Sequence, residues 1–286
     1  MNVIFHGDDF GITPGVNRGV IKAFKNGLLS STSLMAVGEA AEEAMELALE
    51  NPGLDMGIHL VLADEPPLLA PEALSTLISR HGPLPSRNRI FRSIISGNLD
   101  FRQVETEWCA QVEKVLNSGI GISHLDSHQF IHLFPGLFNV CLKISRRYNI
   151  PFVRSTMIEP LLFDRSTIPG IGRLLQWMGL WGWTRFMAMR GYLHSEATIP
   201  SVGFLNAGGR LDCATVLAIL DKLVEDQSTS CVEFILHPGM GDKHTHEKYH
   251  HWHYFWKNDL ALMLNKDLRR GLEMRHIKTT CFGEER

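Results

Sequence analysis

Short apolar runs alternate with longer amphipathic stretches along most of this chain. The apolar runs have the length of β-strands and cover residues 2–6, 32–37, 55–62, 121–127, 151–154 and 231–236. The amphipathic stretches have the length of helices and cover residues 14–26, 39–50, 72–80, 101–118, 136–148, 212–225 and 255–272. This alternation predicts an α/β fold with mostly parallel strands. A distorted or incomplete barrel is favoured over an open sheet, because polar residues at the ends of widely separated strands would then meet at one mouth.

The chain shows no internal repeat and no low-complexity linker, so we expect a single domain over residues 1–286. Two segments fit the alternation poorly and are predicted to be insertions. Residues 63–100 contain five prolines and are expected to cross the barrel mouth. The second insertion, about 160–200, contains a stretch rich in Trp, Met, Leu and Gly. This stretch is apolar enough for a core or an interface.

Charge and cysteine content exclude several classes of protein. The net charge is −3 and the 28 basic residues are spread along the chain, so no nucleic-acid partner is predicted. The five cysteines are widely spaced with no C-x-x-C, which is typical of free thiols in a reducing compartment. Neither a secretory signal nor a transmembrane segment is evident. We therefore expect a cytoplasmic protein.

The stretch from His124 to His132 is the richest in chemistry. As a strand, it directs His124, Asp126 and His128 to one face, since side chains alternate between the two faces of a strand. Asp126 is suited to orient neighbouring imidazoles for metal binding. His132 shares a helical face with His128 if the strand ends near residue 127. A polar strand end with scattered histidines is the structural alternative.

Two other strand ends supply the remaining ligands of a metal site. Asp8 and Asp9 follow the first apolar run, where one carboxylate can bind a metal while its neighbour acts as a general base. His59 stands alone in an otherwise apolar run. The alternatives are a loop-capping carboxylate and a hydrogen-bonded core histidine. Two histidines and an aspartate leave positions open for water, as a catalytic metal requires, and they indicate a metal-dependent hydrolase.

Further candidates lie in the second half of the chain. His237 ends the last predicted strand, where it could protonate a leaving group, and a loop histidine is the alternative. Arg154 could orient a carboxylate or a substrate oxygen, or form a structural ion pair. A histidine-rich run covers residues 244–253. Its spacing fits no single helix or strand face, so a mobile loop over the site is expected rather than a second metal centre.

Taken together, five motifs resemble those of the YdjC family, also called ChbG/HpnK-type carbohydrate deacetylases. The motifs, in chain order, are Gly7-Asp8-Asp9-Phe10-Gly11, Pro14-Gly15-Val16-Asn17-Arg18-Gly19, Ser31-Thr32-Ser33-Leu34-Met35, Gly57-Ile58-His59-Leu60 and His124-Leu125-Asp126-Ser127-His128. The resemblance is close over residues 2–155 and looser over 200–240. It implies a distorted TIM-like (β/α) barrel and hydrolysis of an N-acetyl group from an amino sugar.

The resemblance also assigns roles to residues. Asp9, His59 and His128 would hold a divalent metal and Asp8 would be the general base. His237 would be the general acid, by analogy with NodB-type polysaccharide deacetylases. The ligand set suits Zn²⁺, Mg²⁺ or Mn²⁺. The remaining candidates for supporting or substrate-binding roles are His124, Asp126, His132 and Arg154.

Three uses are open for the Trp-rich segment at 171–193: packing within a homodimer or the fold, contact with lipid at a membrane surface, and stacking on sugar rings. The lipid reading follows from a branch of the family that the resemblance associates with hopanoid-linked amino sugars. Two rival functions also remain open. One is a metal-dependent phosphoesterase or another amidohydrolase, and the other is a non-catalytic glycan- or metal-binding protein.

Overall fold

A computed structural model describes residues 1–78, 82–155, 158, 171–189, 199–204, 211–227 and 229–285. The chain divides into two compact units. The first unit contains residues 1–8, 15–32 and 154–286, and the second contains residues 9–14 and 33–153. In the predicted insertion at about 160–200, residues 160–170 and 190–198 lie outside the described residues, and residues 171–189 form a helix. A single domain over the whole chain stays a prediction.

The strands form an eight-stranded sheet in the order β5-β4-β3-β2-β1-β7-β6, with β8 beside β1. Their bounds are β1 Asn2–Phe10, β2 Ser31–Leu34, β3 Asp55–Leu60, β4 His124–Ser127, β5 Phe152–Val153, β6 Ser201–Val202, β7 Cys231–Leu236 and β8 Lys278–Thr279. The pairings of β7 and β8 with β1, of β3 and β5 with β4, and of β6 with β7 are all parallel. This confirms the predicted α/β fold, an incomplete TIM-like barrel of mostly parallel strands.

Ten helices are present in the described residues. They are α1 Pro14–Asn26, α2 Ala41–Glu50, α3 Arg87–Ile95, α4 Phe101–Asn117, α5 Leu137–Tyr148, α6 Ile171–Met189, α7 Cys213–Glu225, α8 Lys243–Tyr249, α9 Trp256–Met263 and α10 Lys266–Met274. Short 3₁₀ turns cover Pro71–Leu74, His128–Leu133, His250–Trp252 and Phe282–Glu284. Among the helices described, none is both long enough and apolar enough to cross a lipid bilayer.

In the first unit, the core forms where β7 lies beside β1. All six residues of β7 are buried, and the register places Val3 beside Val232 and Phe5 beside Phe234. Such continuous apolar strands are typical of parallel sheets covered on both faces. Glu233 is the exception, since it is a fully buried carboxylate in the middle of this strand. A buried charge of this kind needs a partner, which we identify below.

In the second unit, β3 and β4 pair so that His59 lies beside Asp126. Helix α4 packs against β3, and the indole Nε1 of its buried Trp108 donates to the Val61 carbonyl at 3.2 Å. The carboxylate of Glu107, on the same helix, accepts hydrogen bonds from the backbone N–H groups of Leu68 and Leu69. The start of the proline-rich insertion is therefore fastened to α4.

Two predicted helices differ from the structure. The helix expected at 255–272 is two helices, because the Asn265 side chain accepts from the backbone N–H groups of Asp267 and Leu268 and so begins α10. The helix expected at 72–80 is a 3₁₀ turn over Pro71–Leu74, and residues 79 and 80 lie outside the described residues.

The histidine-rich run at 244–253 is not a loop, so that expectation is wrong. Residues 243–249 form α8 and residues 250–252 form a 3₁₀ turn. The physical reason is a helix cap: the Asp242 carboxylate accepts a hydrogen bond from the Thr245 backbone N–H at 3.0 Å. Lys243 and Glu247 also form an i,i+4 ion pair on this helix.

Candidate metal centre and catalytic residues

Asp9, His59 and His128 lie together in the second unit and are each about 1% exposed. Asp9 Oδ1 is 3.3 Å from His59 Nε2 and 3.1 Å from His128 Nδ1. One candidate ligand atom from each residue falls within 4.8 Å of the other two. We call these residues the Asp9–His59–His128 cluster. Two imidazoles and a carboxylate at this spacing could hold a divalent metal ion.

Local backbone geometry brings these side chains to the ends of their strands. Asp9, near the end of β1, has a φ of +66°, a left-handed conformation that aspartate tolerates better than most residues. His128 begins the 3₁₀ turn after β4, and Gln129 and Phe130 follow it with φ values of +57° and +56°. Such strained backbone tends to occur at functional sites.

Asp126 and Ser33 fix the orientation of His59. Asp126 Oδ1 lies 2.8 Å from His59 Nδ1, and the Ser33 hydroxyl lies 3.0 Å from the same nitrogen. That hydroxyl also donates to Asp126 Oδ2 at 2.9 Å. With Nδ1 occupied in this way, Nε2 is the nitrogen that faces Asp9. Metal-binding histidines are commonly held by a carboxylate in this arrangement.

The electrostatics of Asp9 favour its charged form. Burial raises the pKa of its carboxyl group, but hydrogen bonds and charge interactions with His128 and His59 outweigh burial and lower that pKa well below its usual range. Its second oxygen, Oδ2, is buried and accepts no hydrogen bond from the described residues. A buried, ionised oxygen without a donor is an unusual cost in a folded protein, and a bound cation would offset it.

A buried network surrounds Asp8 in the first unit. The Arg154 guanidinium donates to both oxygens of Asp8, at 3.0 and 2.8 Å. It also donates to Glu233, at 2.6 Å from Nη2 and 3.1 Å from Nε. His6 Nε2 lies 3.3 Å from Asp8 Oδ1. The partner of the buried Glu233 is therefore Arg154, which joins it to Asp8 and fixes the Asp8 carboxylate in one orientation.

His237 follows directly after β7 and is held by two contacts within the first unit. Its backbone N–H donates to Asp259 Oδ2 at 2.8 Å, and its ring lies 4.0 Å from the ring of Tyr254, centroid to centroid. Burial raises the pKa of the Asp259 carboxyl, while the His237 ring and backbone N–H act in the opposite direction. His237 is 6% exposed, so its ring is only slightly accessible.

The remaining predicted residues, His124 and His132, lie outside the Asp9–His59–His128 cluster. His124 Nδ1 lies 2.8 Å from the Ser123 hydroxyl. His132 Nδ1 lies 2.5 Å from the Ser127 hydroxyl, which also accepts a hydrogen bond from the His132 backbone N–H. Both imidazoles are fully buried. A substrate-binding role for them stays a prediction.

Five contributing residues were not among the candidates from the sequence: His6, Ser33, Glu233, Asp259 and Tyr254. His6, Ser33 and Glu233 do carry a signal, since each is a polar residue inside a predicted strand whose neighbours are buried. Asp259 and Tyr254 carry none, because only tertiary packing brings them to His237.

Comparison with known proteins places these motifs in a family. A family model described as "YdjC-like protein" matches residues 2–274. The chain is 38% identical over 173 residues to "Carbohydrate deacetylase 1" of Listeria innocua, a match that covers 58% of this chain and 69% of that protein. It is 37% identical over 148 residues to "Carbohydrate deacetylase" of Geobacillus stearothermophilus, covering 52% of this chain and 57% of the relative.

A Listeria monocytogenes "Carbohydrate deacetylase" is 40% identical over 161 residues, which is 63% of that relative's length. The chain therefore spans about two thirds or less of these curated relatives. Among solved structures, an Enterococcus faecalis protein described as a candidate cellobiose-phosphate cleavage protein has a TM-score of 0.73 at 23% identity, covering 99% of this chain and 98% of that one. At this identity the likeness concerns the fold alone.

Proposed function

Because this chain belongs to the YdjC-like family, we propose that it is a metal-dependent carbohydrate deacetylase. The reaction is hydrolysis of the N-acetyl group of an amino sugar within an oligosaccharide or a glycolipid. Relatives named carbohydrate deacetylases support the reaction class. The observation that carries the metal dependence is the buried Asp9–His59–His128 cluster with its unsatisfied carboxylate oxygen.

The residues present fit a divalent metal ion. Asp9, His59 and His128 would hold it, and Asp126 and Ser33 would keep His59 in the required orientation. Nitrogen and oxygen donors in this proportion suit Zn²⁺, Mg²⁺ and Mn²⁺. When bound, such an ion polarises a carbonyl oxygen and lowers the pKa of water.

Asp8 is proposed as the general base that takes a proton from the attacking water. A base must be oriented, and the two hydrogen bonds from Arg154 to Asp8 fix its carboxylate. The same guanidinium also donates a hydrogen bond to Glu233, so Arg154 binds both carboxylates. In this proposal Arg154 positions the base rather than taking part in proton transfer.

His237 is proposed as the general acid that protonates the leaving amine. Imidazole is suited to this task because its unperturbed pKa lies near neutral pH. The Asp259 hydrogen bond fixes the backbone at His237, and Tyr254 packs against the ring. Both contacts limit the orientations that the imidazole can adopt.

Three finer points belong to the same proposal. The substrate is a short saccharide or a glycolipid, including the hopanoid-linked class. The exposed apolar side chains of α6, including Leu175, Met178 and Trp181, support a homodimer contact or a peripheral contact with lipid. All five cysteines are free thiols, which supports a cytoplasmic location.

The test is acetate release from N-acetylglucosamine, its short oligomers and an N-acetylated glycolipid, by protein reconstituted with Zn²⁺, Mg²⁺ or Mn²⁺. A phosphate monoester panel runs in parallel. We expect acetate release that a chelator abolishes and the metal restores. Phosphate release without acetate release would favour a phosphoesterase. Stoichiometric metal binding with neither product would favour a non-catalytic binding protein.

A further inference from the structure

A cleft of about 330 Å³ in the first unit lies where the histidine-rich run ends. Its volume is at the lower end of the roughly 300–1,000 Å³ typical of small-molecule sites. The cleft is lined by Tyr254, Phe255, Trp256, Lys257 and Asn258, together with Gly241 and three histidines of the histidine-rich run. None of these lining residues is acidic. They combine aromatic faces with imidazole, ammonium and amide groups.

Tyr254 connects this cleft to the proposed general acid. It lines the cleft, and its ring lies 4.0 Å from that of His237, centroid to centroid. Further aromatic contacts continue from Tyr254 to Trp252 at 5.7 Å and to Trp256 at 5.9 Å. A ligand part that enters the cleft would therefore contact a side chain that also contacts His237.

The backbone here is held in a conformation that presents Tyr254 and Phe255. His253 has a φ of +57°, in the left-handed region. Phe255, immediately before α9, is 56% exposed, so more than half of its side-chain surface is accessible to a ligand in the cleft. Trp256, by contrast, is 4% exposed and anchors the segment. The buried Trp256 ring lies 5.9 Å from the Tyr254 ring, centroid to centroid, so it packs against one of the two aromatic side chains.

We propose that this cleft is a sugar subsite, in which a second ring of an oligosaccharide substrate packs against Phe255 and Tyr254. Sugar rings offer C–H faces to aromatic side chains, and their hydroxyl groups accept hydrogen bonds from donors such as Lys257 and Asn258. The inference rests on the proposed function, since it assigns the second ring of the same substrate. It gives residues 254–258, which directly follow the histidine-rich run, a role in chain-length preference.

The test compares kcat/KM for N-acetylglucosamine and its dimer and trimer, together with trimer binding measured by calorimetry. For the metal-loaded wild-type protein we expect kcat/KM to rise when the second ring is present. Phe255→Ala and Lys257→Ala should each reduce that preference, and the trimer affinity, by roughly three- to tenfold. Phe91→Ala is the matched control, because Phe91 is a 44% exposed phenylalanine of α3 that does not line the cleft.

The outcomes separate the subsite from the reaction. Acetate release with equal kcat/KM for one, two and three rings would overturn the subsite and leave the deacetylase proposal standing. Trimer binding that Phe255→Ala weakens, without acetate release by any form, would support the subsite and remove the reaction. Trimer affinity unchanged in both cleft variants would also overturn the subsite.

Discussion

Hydrogen bonds to single atoms decide how the candidate metal centre is built. His59 shows this most clearly, because Asp126 and Ser33 both contact its Nδ1 and leave Nε2 facing Asp9. The sequence placed Asp126 in a supporting role between His124 and His128. The structure places it against His59 instead, since the β3–β4 register sets those two residues side by side.

Replacing Asp126 should therefore weaken metal binding without removing a ligand. We expect Asp126→Asn to reduce Zn²⁺ affinity by about 10- to 100-fold, the usual cost of losing a carboxylate that orients a metal-binding histidine. Competition with a chromophoric chelator measures this. Asp55→Asn is the control, because Asp55 lies on β3, the strand of His59, but its carboxylate contacts Ser123 rather than His59. Equal affinities for all three proteins would contradict the role of Asp126.

Asp259 predicts a pH dependence of stability with a definite sign. Its pKa is raised by burial, so the folded protein binds this proton more tightly than the unfolded chain does. Stability therefore falls as pH rises above the unfolded pKa of about 3.9. Asn cannot ionise, so Asp259→Asn does not lose stability in this way. The free energy of unfolding of Asp259→Asn minus that of wild type should therefore increase between pH 4 and pH 7. Urea unfolding at several pH values measures the difference.

Asp221 is a control with the opposite sign. Arg275 donates to both of its oxygens, at 2.6 and 2.9 Å, and lowers its pKa. Wild type should therefore gain on Asp221→Asn as pH rises up to and through the unfolded pKa of about 3.9, and should gain little above it. The gain should be less than about 1 kcal/mol for so exposed a pair. If the stability difference from wild type changed with pH in the same direction for both variants, burial would not be what distinguishes the two carboxylates.

At the scale of elements, the packing of His124 depends on the close approach of β3 and β4. Gly57 of β3 lies beside His124 of β4, and a Cβ on Gly57 would overlap the His124 ring. The fully buried imidazole fills space that only glycine leaves free. This contact explains a glycine inside a buried strand, where glycine is otherwise unfavourable.

Gly57→Ala should destabilise the protein by about 1–3 kcal/mol, the range for forcing extra volume into a packed core. Gly121→Ala is the matched control in the same unit, since a Cβ there meets nothing within 4 Å. It should change the free energy of unfolding by less than about 0.5 kcal/mol. Urea unfolding measures both. Similar stability of the two variants would show that β3 and β4 separate at little cost.

Sequence patterns were sufficient for most strands and helices and for the prediction that Asp9, His59 and His128 lie together. The residues Asp9, His59 and His128 could be selected because parallel strands bring their ends to one edge. Glu233 and Asp259 could not be assigned, because their partners Arg154 and His237 depend on tertiary packing. The sequence patterns also did not predict where α8 and α10 begin. Each of these helices begins after a capping side chain, Asp242 for α8 and Asn265 for α10, and hydrophobic periodicity does not reveal such caps.

For the whole molecule, the exposed apolar side chains of α6 are the largest unexplained feature of the described residues. Met178 is 53% and Trp181 is 43% exposed. We expect wild-type protein to self-associate through this helix and Met178→Glu/Trp181→Glu to be monomeric, as judged by sedimentation velocity. A wild-type monomer that loses binding to anionic vesicles when these residues are replaced would instead favour the lipid contact.

The most direct test of a metal-dependent deacetylase is the rate of acetate release by Asp8→Asn at a metal content equal to that of wild type. Asn preserves the shape of Asp8 but cannot accept a proton, and none of the proposed ligands is changed. We predict full metal occupancy with a loss of kcat of at least about 100-fold, as general-base removal typically gives. Wild-type turnover by metal-loaded Asp8→Asn would contradict the assignment of Asp8 as the general base of the reaction.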